Sequence, residues 1–101
     1  MSYRAAVCTA LTGPDSIQIE TRDRSPLKPG EVRIAIKAAG LNFPDLLMTY
    51  GKYQFRPDPP FVPGMEFSGE VIEVGSEVTG WKPSDAVMGG GKGDCIAEEA
   101  V

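Results

Sequence analysis

At 101 residues, with 42% hydrophobic and 24% charged side chains, the chain has the composition of one globular domain and not of a disordered tail. Its formal charge is −4 and its ten basic residues are scattered, so it has no basic stripe with which to neutralise nucleic-acid phosphates. No apolar run approaches the ~20 residues of a membrane span, and no hydrophobic signal segment opens the chain, so a cytoplasmic protein without a membrane partner is expected.

Twelve glycines and nine prolines divide the chain into short pieces, a pattern of strands and turns and not of a helical bundle. Residues 3–11 form an apolar run suited to a strand, closed by the turn signal Gly13-Pro14-Asp15. Ile17, Ile19 and Thr21 then alternate with Gln18 and Glu20, as in a half-buried strand. After a turn from Pro26 to Gly30 comes the clearest strand. It has Val32, Ile34, Ile36 and Ala38 on one face and Glu31, Arg33 and Lys37 on the other.

Asn42-Phe43-Pro44-Asp45 changes the pattern. Pro44 suits a first helical position with Asn42 or Phe43 just outside it, and Asp45 suits the positive end of the helix dipole. Leu46, Leu47 and Met48 extend a short helix that Gly51 ends. Residues 52–63 carry four prolines, which makes them a shaped loop. Residues 65–74 resume a strand, with Gly69 inside it where a backbone or a ligand approaches closely. A turn-rich stretch over 75–83 leads to short strands at 86–88 and 95–101 around a flexible loop at 89–93. The whole reads as mainly β: a partly open β-barrel with one short helix.

Much chemistry is excluded. There is no histidine, so no Ser/His/Asp or Cys/His nucleophile system can be assembled. Cys8 and Cys95 can complete neither a zinc site nor a disulfide framework. They read as two reduced thiols. Asp45 and Glu66 lack the clustered acidic ligands of a calcium loop and read as hydrogen-bonded or solvated carboxylates. Gly89-Gly90-Gly91-Lys92-Gly93 lacks the spacing of a phosphate loop, and no GxGxxG fingerprint occurs, so the glycine run reads as a hairpin connection. What remains is the Asn42 amide, able to donate to a carbonyl oxygen, with Tyr50 and Tyr53 following as proton donors. From the residues alone, a helix cap is the preferred role for Asn42.

Three segments then carry a resemblance. They are Ala38-Ala39-Gly40-Leu41-Asn42-Phe43-Pro44-Asp45, Pro60-Phe61-Val62-Pro63-Gly64-Met65-Glu66-Phe67-Ser68-Gly69, and Val74-Gly75-Ser76-Glu77-Val78, preceded by Gly30-Glu31-Val32-Arg33-Ile34. In this order they resemble the medium-chain dehydrogenase/reductase superfamily along essentially the whole chain. Its zinc alcohol dehydrogenases place a metal-binding cysteine near the position of Asn42 and a histidine at Met65. Neither ligand is present, so the resemblance is to the zinc-independent quinone oxidoreductase and enoyl-reductase branch.

The resemblance implies a GroES-like fold, with residues 1–101 as the catalytic-domain portion and no Rossmann domain within them. It implies NADPH and no zinc in the full-length enzyme, with a small-molecule quinone or α,β-unsaturated carbonyl as substrate. Asn42 would lie beside nicotinamide and substrate, as a cofactor-binding and catalytic residue, and Tyr53 would be the active-site tyrosine. The chain alone is expected to bind no cofactor and to be inactive. Two other readings stand beside this one: a non-catalytic GroES-like assembly or co-chaperonin-like module, and a fragment of an enoyl-thioester reductase. Exposed strand edges imply pairing with a second copy as a homodimer.

Two departures from the family stand out. Ser84-Asp85-Ala86-Val87 replaces the usual Gly-Asp-Arg-Val, and if that glycine needs a positive φ, Ser84 costs about 1 kcal/mol. Gly93-Asp94-Cys95-Ile96-Ala97-Glu98-Glu99 varies a motif more often written Gly-Gly-x-Ala-Glu.

Overall fold

The structure, a computed structural model, describes residues 1–101. Strand β1 (Ser2–Cys8) and strand β2 (Ile17–Asp23) form an antiparallel ribbon joined through a 3-10 turn at Pro14–Ser16. Strands β3 (Val32–Gly40), β4 (Glu66–Val74), β5 (Ala86–Gly90) and β6 (Glu99–Ala100) form a second antiparallel sheet in the order β5-β4-β3-β6. Helix α1 (Phe43–Thr49) lies between β3 and β4 in the chain.

The ribbon closes onto the rest through its backbone. The Ala6 N–H donates to the Ile96 carbonyl at 2.9 Å, and the Cys8 N–H donates to the Phe61 carbonyl at 2.7 Å. Beneath these bonds Ala5, Val7 and Val62 form the buried centre, with Tyr3 and Ala97 packed against it. The partly open barrel with one short helix is therefore as the sequence implies, and its second half is assembled differently in detail.

The glycine run is not a hairpin. Gly89 and Gly90 belong to β5, paired with Phe67 and Glu66, and the chain then crosses to β6 on the opposite edge of the sheet. The expected closing strand shrinks to Glu99–Ala100 because the residues before it bond elsewhere. The N–H groups of Asp94 and Ile96 donate to the carbonyls of Val62 (2.8 Å) and Pro63 (3.0 Å). Strand β1 likewise stops at Cys8, three residues short of the apolar run's end at Leu11.

Hydrophobic alternation also misplaces two side chains. Strand β2 pairs with β1 alone, and Ile19 is 68% exposed on it. In β3, register shifts after Arg33 and after Ile36 break the two-residue period. Arg33, expected on the solvent face, is 4% exposed. Its burial is tolerable because the guanidinium is partnered: Nε donates to Glu73 at 2.8 Å, and a terminal nitrogen donates to the Ser25 carbonyl. Gly69 is the close approach its sequence position suggests, and what approaches is backbone. A Cβ there would lie 2.2 Å from the Ala35 carbonyl oxygen of β3.

Ser84 has φ +79, the left-handed region in which a Cβ is unfavourable. Its N–H still donates to the Val71 carbonyl at 2.8 Å, so the turn is held by its neighbours against the local preference. Ser84→Gly is expected to stabilise the fold by about 0.5–1 kcal/mol, the relief of strain being partly offset by glycine's extra freedom in the unfolded chain. Urea unfolding of the two proteins checks this. An unchanged or lower midpoint for Ser84→Gly would show that the turn stores no strain.

Candidate active site

The candidate site starts where β3 gives way to α1. Asn42 occupies the position before the helix with extended backbone, φ −129 and ψ 162. Pro44 sits in the first turn, where its missing N–H costs nothing. The first-turn carboxylate then takes over the capping. Asp45 is 4% exposed, and its two oxygens accept from the Asn42 N–H at 2.9 Å and the Gly64 N–H at 3.2 Å. The Asp45 N–H is satisfied by the Asn42 backbone carbonyl at 3.0 Å.

The consequence for Asn42 is specific. Both halves of a capping box are in place, the Asn42 side chain facing the Asp45 N–H and the Asp45 carboxylate accepting from the Asn42 N–H, although the Asn42 side chain completes no full cap hydrogen bond; the residue is exposed. The side-chain oxygen takes the position of a cap, while the amide N–H groups of Asn42 donate to nothing in the chain. At the other end of α1, Tyr50 packs its ring over Gly13, where a Cβ would come within 2.6 Å of it. Tyr50 thus anchors the helix to the ribbon.

Tyr53 is half-buried and opens on a cavity of about 320 Å³ lined with Gln54, Phe55, Met65 and Lys92. Asn42 is not part of that wall. A second cavity of about 340 Å³ adjoins the first through Phe55 and Lys92 and carries Phe61, Phe67, Asp94 and Cys95. Burial pushes the Cys95 thiol up, with the carboxylates of Asp94 and Asp45 adding to the effect. A thiol disfavoured from ionising in this way is a poor nucleophile at neutral pH.

Of the residues expected to carry chemistry, the structure puts Tyr53 on a cavity and leaves Asn42 exposed at the start of α1. Sequence reasoning misses Lys92 and Phe55. In the sequence Lys92 stands out only as part of a failed phosphate loop, and nothing in the loop's composition shows that the chain folds it back over Phe55. No three His, Cys, Asp or Glu side chains come together in a metal-binding arrangement. Asp45 is occupied by backbone donors. No helix is long and apolar enough to cross a membrane.

Residues 28–100 match the alcohol dehydrogenase GroES-like domain family. The chain belongs to that family. This GroES-like domain is 46% identical over 101 residues to quinone oxidoreductase-like protein 2 homolog of Nematostella vectensis, covering 99% of the chain and 27% of the relative. It therefore spans little more than a quarter of that relative's length. The domain superposes on human synaptic vesicle membrane protein VAT-1 homolog-like protein with a TM-score of 0.93 and 34% identity, covering 99% of this chain and 32% of that one. It superposes on the quinone oxidoreductase of Thermus thermophilus, a protein solved also in complex with NADPH. There the TM-score is 0.78 and the identity 31%, with 96% of this chain and 28% of that one covered.

Proposed function

We propose that this GroES-like domain is the catalytic portion of a zinc-independent, NADPH-dependent cytoplasmic reductase acting on quinones or α,β-unsaturated carbonyls. The similarity to quinone oxidoreductases supports the class, and the free amide of Asn42 is the observation that carries the assignment of a site. NADPH, held mainly by a second domain, would supply the hydride when bound.

The tasks left to this chain are polar. The Asn42 amide N–H donates to a carbonyl oxygen of nicotinamide or substrate, fixing its orientation and stabilising the negative charge that develops on oxygen. The Tyr53 hydroxyl hands its proton to the reduced substrate and is reprotonated from solvent. Phe55 and Met65 give that cavity apolar walls that exclude water. Met65 offers only a weak thioether donor where a metal-dependent relative needs nitrogen, so polarisation of the substrate falls to hydrogen-bond donors.

The test is NADPH consumption with p-benzoquinone. A polypeptide carrying this chain together with its nicotinamide-binding domain should oxidise NADPH in step with added quinone, and the chain alone should not. Robust turnover by the chain alone would contradict the need for a second domain. No turnover by the joined polypeptide would contradict the reductase reading.

A further inference from the structure

The glycine-rich loop after β5 has no part in the chemistry above, and several of its polar groups have no partner within the chain. The ion pairs of the fold are Arg4–Glu98, Arg24–Glu99, Arg33–Glu73 and Lys82–Asp85. Lys92 is in none of them. Its Nζ instead sits 5.3 Å from the centroid of the Phe55 ring, a cation–π contact that holds the ammonium at a defined place without neutralising it. Two backbone donors accompany it. The N–H groups of Lys92 and Gly93 bond to no acceptor in the chain, whereas those of Gly91 and Asp94 on either side donate to Met65 (3.1 Å) and Val62 (2.8 Å). An ammonium and two amides without partners thus belong to consecutive residues of one loop, Lys92 bordering both cavities and Gly93 the phenylalanine-lined one.

We propose that this loop is an anion subsite, with Lys92 the specificity-determining residue for substrates that join an aromatic body to a carboxylate. The aromatic body lies along Phe55, Phe61 and Phe67, and the carboxylate takes the Lys92 ammonium and the neighbouring amides. Asp94 borders the phenylalanine-lined cavity as well. It repels an acidic group from that side and so directs the carboxylate toward the Lys92 edge. An exposed ion pair alone would discriminate weakly. Backbone donors added to the ammonium make the contact a set of charge-assisted hydrogen bonds, which is stronger and directional. Calling the ligand a substrate rests on the reductase reading, while the binding itself does not.

The test is an NMR titration of the chain with naphthoate and with naphthylmethanol, its uncharged counterpart. Naphthoate should bind about tenfold more tightly and shift the amide signals of Lys92 and Gly93. Lys92→Gln should abolish the difference and Lys92→Arg should keep it. Added salt should narrow the gap. Equal affinities, a preference that survives Lys92→Gln, or no binding of either probe would overturn the subsite. Because no turnover is measured, a negative result here leaves the reductase reading standing. Failure of the NADPH assay would in turn leave a positive titration intact.

Discussion

Asp45→Ala is expected to destabilise the fold by about 3 kcal/mol, a large share of the 5–15 kcal/mol available to a domain of this size. The carboxylate joins two parts of the chain 19 positions apart, the start of α1 and the segment ending at Gly64. Removing it takes away the helix cap, at about 1 kcal/mol. It also strands the buried Gly64 N–H, at about 1–3 kcal/mol more. Gly64 cannot turn to find another partner. It has φ +112, and the Ile96 N lies 2.6 Å from where its Cβ would be. Asp45→Asn retains one oxygen acceptor and should lose roughly half as much, about 1.5 kcal/mol. Thermal unfolding would show the alanine variant melting about 12–24 °C lower. A shift of only a few degrees would mean that the buried carboxylate does not join the two segments.

This same carboxylate marks how far the sequence can be read. Pro44 and Asp45 locate the helix start, and Gly51, with φ +69, locates its end, because these residues act on the backbone beside them. Ser84 is legible only through the family resemblance: a glycine in the usual motif signals a φ that the residue in its place must adopt. Tertiary partners are not legible. The reach of Asp45 to Gly64, the burial of Arg33 and the exposure of Ile19 all depend on which strand lies alongside. Two register shifts in β3 suffice to defeat a two-residue alternation. Lys92 shows the same limit in the candidate site. Its meaning comes from Phe55, 37 positions earlier, over which the crossover from β5 to β6 carries it.

The two roles open to Asn42, helix cap and hydrogen-bond donor to a developing oxyanion, predict opposite results for one substitution. If Asn42 served only to cap α1, Asn42→Ala would cost about 1 kcal/mol of stability and leave turnover unchanged. The structure has Asp45 and the Asn42 backbone carbonyl closing the helix start, with no full cap hydrogen bond from the Asn42 side chain and its amide N–H groups unpartnered, so the larger loss should appear in catalysis. Removing a single donor to a developing oxyanion lowers kcat by about a hundredfold or more. The decisive experiment makes Asn42→Ala in the polypeptide that joins this chain to its nicotinamide-binding domain, and measures kcat for quinone reduction alongside the melting temperature. A fall in kcat of about a hundredfold is expected, with a melting temperature within about 2 °C of the parent. An unchanged kcat with a lowered melting temperature would contradict the donor role and return Asn42 to that of a cap.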